Sequence, residues 1–165
     1  MNCPICKRCA WATDLCPQCS HLKKTGTLSD SDVEVSRILH RINETHNISE
    51  AHLSRTIPFE GTMLLLTRSE PGILIGKGGK VVAAISAATG KKVRIIREGR
   101  DEKRMITDLI LPARLLGINT RFHEGGQSLV LRVAKGDRHK LFVDALMIKS
   151  LIKDWLKKDI DIVFE

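Results

Sequence analysis

Laid against itself with a shift of 67 residues, the chain repeats its own apolar pattern. Leu64 falls on Leu131, Leu66 on Val133, Leu74 on Leu141 and Ile75 on Phe142; further on, Ile85 falls on Ile152, Val93 on Ile160 and Ile95 on Ile162. Seven paired apolar positions without a gap describe two copies of one small α+β unit. In the first copy, residues 62–67 form an apolar run of strand length. Val81, Val82, Ile85 and Ala88 then recur at helical spacing, Gly90 is placed as a helix stop, and residues 93–97 read as a closing strand. Upstream, Val35, Ile38, Leu39 and Ile42 predict a helix over about residues 30–45, capped by Ser29 or Asp30, and residues 57–61 read as a turn. The second copy contributes an amphipathic helix over 103–111, a strand over 118–122 and a turn at 124–127.

Between the strand and the helix of the first copy lies ILIGKGGKVV, residues 73–82. A nucleotide-binding Walker A loop requires G-x4-G-K-[ST]. Here only three residues separate Gly72 from Gly76, and Gly78 stands where a magnesium-binding hydroxyl is needed. The G-x-G-x-x-G spacing of a dinucleotide loop is also missing. The segment Ile75-Gly76-Lys77-Gly78-Gly79 instead resembles the I-G-x-x-G loop of KH domains. In such a loop the absence of side chains lets main-chain N–H groups approach a sugar-phosphate backbone.

The element order helix, strand, strand, helix, loop, helix, strand is similar to a type II KH domain. The arrangement over about residues 28–165 resembles the tandem KH pair of the transcription elongation factor NusA family, in particular its short archaeal-type relatives. The segment LPARLLGIN (residues 111–119) resembles the join between the two units in that family. The resemblance implies an α+β fold of two tandem type II KH-like domains, at 28–100 and 101–165; the cysteine spacing adds a zinc-binding knuckle at 1–26, which is foreign to the bacterial members of that family. The resemblance also implies noncatalytic binding of single-stranded RNA in transcription elongation or termination, with RNA polymerase as a large partner. Its RNA-binding residues are Ile75, Gly76, Lys77, Gly78, Gly79, Lys80, Val82, Ile85 and Arg94, with Ile75, Val82 and Ile85 walling an aliphatic groove. The alternative is a factor bound to ribosomal RNA or the ribosome, in assembly, translation or hibernation. In the second copy the loop falls on Val143-Asp144-Ala145-Leu146, which has no glycine and carries a carboxylate that repels phosphate. Leu141, Ala145, Ile148, Ile152 and Trp155 keep helical spacing through it, which predicts fewer breaks there. Arg138, His139 and Lys140 read as a solvated basic turn.

All five cysteines fall within the first 19 residues. Paired C-x2-C spacings in a cytosolic chain point to metal rather than to disulfides, and two such turns close a tetrahedron of sulfurs around structural Zn2+. Cys6, Cys9, Cys16 and Cys19 make the compact set. Cys3, near a terminus expected to fray, is the possible substitute, because CPIC and CPQC are nearly the same knuckle sequence. His21 reads as a surface residue. After it, HLKKTGTLSDSD reads as a polar connector.

Charge and composition agree with this reading. Lys and Arg outnumber Asp and Glu by 27 to 19, a net +8, which favours a polyanionic partner. Aromatic residues are only 4%, with no Tyr, which argues against readers that stack bases on paired aromatic rings of a sheet and against aromatic-rich single-strand grooves. No paired carboxylates, nucleophile–base pair or open metal position can be assembled, so no enzyme is expected. No long apolar run is visible, so the expectation is a cytoplasmic protein without membrane contact.

Overall fold

The computed structural model describes all residues, 1–165. It divides into two compact units, Met1–Glu98 and Gly99–Glu165. The fold is α+β, with one three-stranded sheet in each unit.

The first unit begins with the cysteine segment. Helix α1 (Lys7–Trp11) and helix α2 (Pro17–Lys24) flank a turn, with Pro17 at the first helical position, where its missing N–H costs nothing. Helix α2 takes in His21–Lys24, so the polar connector is shorter than its composition suggests, and Leu28 within it is buried. Helix α3 (Asp30–Ile42) starts from a capping box: Ser29 Oγ accepts from Asp32 N at 3.1 Å, and Ser29 N donates to Asp32 Oδ2 at 2.9 Å. The other Asp32 oxygen accepts from the Thr56 backbone N–H at 2.6 Å and from the Thr56 hydroxyl at 3.0 Å. One buried carboxylate therefore both caps α3 and pins it to the sheet.

Strands β1 (Leu53–Phe59) and β2 (Thr62–Thr67) form an antiparallel hairpin, and β3 (Lys92–Arg97) runs parallel to β2, giving the order β1-β2-β3. Residues 57–59, expected in a turn, continue β1; only Glu60 and Gly61 turn the chain. Pro58 suggested a break, but it pairs with Met63 on an edge strand, where a missing N–H is tolerated. Helix α4 (Pro71–Ile75), a 3-10 turn at Lys77–Gly79 and helix α5 (Lys80–Thr89) connect β2 to β3. Gly90 ends α5 in the left-handed conformation, as its position suggested. By length and composition Pro71–Thr89 is apolar enough to cross a membrane. It is nevertheless interrupted by three positive-φ glycines and two lysines, and Leu74, Val81 and Ile85 pack into a core with Val35, Leu39, Met63, Leu65 and Ile95.

The cysteine segment is built onto this core. Asn2 bridges the start of β1, donating to Ala51 O and accepting from Leu53 N, each at 2.9 Å. Cys3 and Met1 pack against the core cluster, so Cys3 does not lie on a fraying end. A second cluster joins Ile5, Cys9, Ala10 and Cys19 to Leu28 and Val33. From α3, the Arg37 guanidinium donates to the carbonyls of Cys9, Ala12 and Thr13 at 3.0–3.2 Å, satisfying groups at the end of α1.

The second unit repeats the order. Helix α6 (Glu102–Ile110) precedes the hairpin of β4 (Leu115–His123) and β5 (Gly126–Val133); a 3-10 turn at Lys135–Lys140 and helix α7 (Ala145–Leu156) lead to β6 (Asp159–Phe164), parallel to β5. Residues 111–119, expected to join the units, lie inside the second one, between α6 and the first half of β4. Both hairpins carry a bulge at the start of their first strand, at Leu53/Arg55 and Leu115/Gly117.

The strand register corrects the gapless alignment. Leu65 pairs with Ile95, whereas Leu131 pairs with Ile162. Leu131 is therefore the counterpart of Leu65, not of Leu64, and the second unit has one extra residue between β5 and α7. A one-residue slip exchanges the faces of a strand, so apolar matching alone could not fix the offset where both faces are apolar.

Candidate nucleic-acid interface and metal centre

At the end of α4, Gly76 turns the chain at φ 76° and ψ 166°. A Cβ there would lie 2.5 Å from Val81 Cγ2 and 2.8 Å from the Val81 backbone nitrogen, so neither the backbone nor the space admits a side chain. Gly78 and Gly79 also have positive φ, but their surroundings are open. Nothing lies within 4 Å of a Cβ at Gly78, and only Val82 Cγ1, at 3.8 Å, at Gly79. Gly76 is thus required by packing, while the other two keep an exposed piece of main chain bare.

Helix α5 begins from Gly79 with no side-chain cap. Its positive end therefore faces outward between Lys77 and Lys80, both exposed. The ion pairs of the first unit engage Lys23, Arg68 and Arg97 and leave both loop lysines out. Ile75, 39% exposed, and the half-buried Val82 give apolar surface beside the loop.

Two expected members of this surface do not join it. Ile85 is fully buried within the core, because helical spacing puts it one turn below Val81 on the inner face of α5. Arg94 pairs with Leu64 on β3. By strand alternation it lies on the sheet face opposite Val93 and Ile95, which pack toward α4 and α5. The structure therefore brings together Ile75, Gly76, Lys77, Gly78, Gly79, Lys80 and Val82.

The corresponding segment of the second unit is not a continuous helix. Residues 141–144 break it: Leu141 is extended, and Asp144 is the N-cap of α7, accepting from Met147 N at 2.8 Å. Leu141 and Ala145, matched to one helical stripe by spacing, thus belong to different elements. A protein carboxylate already occupies this helix start. Of the basic turn before it, Lys140 pairs with buried Asp137 at 2.7 Å and the Arg138 guanidinium lies 5.1 Å from the Phe164 ring centroid.

The cysteine sulfurs of Cys6, Cys9, Cys16 and Cys19 all lie within 4.8 Å of one another. Cys6 Sγ is 3.4 Å from Cys9 Sγ and 3.9 Å from Cys16 Sγ. A tetrahedron with metal–sulfur bonds of ~2.3 Å has edges of about 3.8 Å, so the four donors fit one ion with no position left open. Backbone N–H groups of Cys16 and Cys19 donate to the sulfurs of Cys9 and Cys16 at 3.1 and 3.4 Å, which favours charged sulfur. The Cys19 N–H is the main reason the Cys16 thiol is lowered to about 6, and the Cys9 N–H leads the lowering of Cys6. Burial raises Cys9 and takes Cys19 up to about 12. Cys3 stands apart, pushed up to about 11 by burial against a hydrogen bond from Ser36, and His21 is exposed on α2. Sequence spacing found the four sulfurs. It missed the Arg37 clasp and the Asp32 pin, because long-range bonds from a helix face leave no local pattern.

Residues 37–107 match the family model of the KH domain. The crystal structure of APE1850 resembles this chain with a TM-score of 0.55 at 20% identity, covering 77% of this chain and 96% of its own, a likeness of fold. No curated protein matches the sequence. The chain therefore carries a KH domain, with the glycine loop inside the matched residues. KH domains are nucleic-acid-binding modules that clamp about four nucleotides of backbone on that loop.

Proposed function

We propose that this chain is a noncatalytic single-stranded-RNA-binding protein with one working clamp. The observation that carries the reading is the loop Gly76–Gly79: bare main chain at an uncapped helix start, between two exposed, unpaired lysines. Phosphates sit against the bare main chain of Gly78 and Gly79 at the start of α5, with Lys77 and Lys80 beside them, and splayed bases rest on Ile75 and Val82. Residues 28–100 and 101–165 act as two KH-like domains, the second without a clamp. The four clustered cysteines hold a structural Zn2+, because an all-sulfur, closed tetrahedral set suits zinc and offers no position for a reacting group.

The direct test replaces Lys77 and Gly78 with Asp. Titration with a random-sequence single-stranded 12-mer at fixed salt should show binding lost by roughly a hundredfold, since two carboxylates replace a cation and bare backbone. The fold and zinc content should persist, with a modest loss of stability from Asp at the positive φ of Gly78. Wild-type affinity in this variant would refute the clamp.

The cellular role follows the resemblance to NusA-like tandem KH proteins: contact with nascent RNA during transcription elongation or termination in the cytoplasm. Crosslinking in cells is the corresponding test. Recovery of nascent transcripts and polymerase supports this role, and recovery of ribosomal RNA replaces it with a ribosome-associated one.

A further inference from the structure

The knuckle carries an exposed surface that neither the metal nor the core explains. Lys7, Arg8 and Trp11 lie at i, i+1 and i+4 of α1, all exposed, while Cys9 and Ala10 between them are buried. Trp11 is 52% exposed in a chain where aromatic residues are only 4%. Its ring meets His40 of α3 edge-on, with centroids 6.3 Å apart and planes at 69°, so the two rings do not stack on each other.

Two hollows open beside this pair. One, of about 460 Å3, runs along the start of the knuckle past Cys3 and the clustered Cys6, and is lined on its open side by Lys7, His40, Asn43 and Ser49. The other, of about 300 Å3, is lined by Trp11, Arg37 and Arg41. No Asp or Glu lines either hollow; on their other side Arg37 and Arg41 border a cleft that contains Asp14, Asp30 and Glu34. Lys7, Arg8 and Arg41 take no part in the ion pairs of the first unit. Four thiolates around a divalent ion leave two negative charges; Lys7, Arg8, Arg37 and Arg41 outnumber them.

We propose that this face of the knuckle is a second contact for single-stranded RNA, in which a base stacks on Trp11 and the flanking phosphates lie in the cationic hollows beside His40 and Arg41. An exposed indole between carboxylate-free basic hollows matches a base joined to two phosphates: every base has a π-face, and the phosphates supply the charge. An acidic protein would meet the same charges without using the flat ring. The inference rests on the RNA-binding reading of the glycine loop, and adds a site on α1 and the second half of α3.

The test uses full-length zinc-loaded protein with Trp155→Phe, which leaves Trp11 as the reporting indole. Random-sequence single-stranded RNA of 12 nucleotides should quench Trp11 fluorescence. Trp11→Ala and, separately, Arg41→Glu should weaken binding of the 12-mer about tenfold. Both variants should bind a 4-mer as wild type does and keep its melting temperature and zinc content. Because Arg41 is exposed on a helix, its variant keeps the test decisive if Trp11→Ala perturbs the knuckle. Unchanged fluorescence with RNA, unchanged 12-mer affinity in Arg41→Glu, or quenching by polyglutamate but not by RNA would each overturn the proposal. Failure of the Lys77/Gly78 variant to weaken 4-mer binding would instead overturn the clamp, and absence of any RNA binding by the wild type would overturn both.

Discussion

Helix α5 and helix α7 occupy the same place in their units, yet their first turns are finished in opposite ways. Helix α5 starts from Gly79, uncapped, beside Lys77 and Lys80. Helix α7 starts two residues earlier by the 67-residue offset, from Asp144, whose carboxylate accepts from Met147 N at 2.8 Å. Every helix leaves unsatisfied N–H groups at its start, and a protein can close them with its own side chain or leave them for an external anion. The first unit puts no side chain there: the Lys80 N–H returns to Lys77 O within the 3-10 turn, and glycine keeps the approach to the main chain clear. The second closes its helix start with the Asp144 carboxylate, which follows the buried Val143. The difference lies in a few residues on one framework, so it can be broken residue by residue.

The largest expected difference is in RNA affinity. Asp at positions 77 and 78 costs roughly a hundredfold, whereas Asp144→Lys combined with Ala145→Gly should change affinity by less than about twofold; parallel titrations measure both. Next in size is metal removal. Cys16→Ser should abolish metal binding by the four-cysteine cluster and raise amide exchange across residues 1–24 and in α3, which Arg37 ties to the knuckle, while α7 and β6 keep their protection. Gly76→Ala, set against Val81 and a positive φ, should destabilise the first unit by about 2–3 kcal/mol in a denaturant titration. The mirror change, Asp144→Ala, should cost the second unit about 1 kcal/mol, as loss of a helix cap does. The smallest effect is in salt dependence: Lys77→Ala should reduce the slope of log K against log salt by about 0.7, one single-strand phosphate contact.

The second unit should also respond to acid through Asp137. Lys140 and Arg114 hold this buried carboxyl well below the ordinary carboxylate range. A lowered folded-state value stabilises the unit above the unfolded carboxylate range, near pH 4, and that stability is lost as pH falls through the folded value. Asp137→Asn should accordingly be less stable than wild type at pH 7, and the gap should narrow as pH falls below about 4. Thermal melts across that range would measure it.

Much of the framework was legible because its signals are local. Helical spacing placed α5, the strand-length run at 62–67 placed β2, and Gly90 marked the end of α5. C-x2-C spacing brought the four sulfurs together, since each pair shares one tight turn. Pro58 misled because its effect depends on whether a strand lies at an edge, which is a property of the sheet. Ile85 and Arg94 misled for a related reason: membership in a groove depends on which face of α5 or β3 packs inward. The cap at Asp144 was read as a repelling charge, and the same carboxylate also fills the helix start. The docking of the knuckle through Arg37, Asn2 and Cys3 depends on contacts distant in sequence, and no spacing announces it.

The most direct measurement is amide chemical-shift mapping of the full-length protein titrated with a four-nucleotide single-stranded RNA. Perturbations at Gly76–Val82, with none at residues 143–148, are the expected result for a single clamp on an uncapped helix start. Equal perturbation at both helix starts, or perturbation at the second alone, would contradict it.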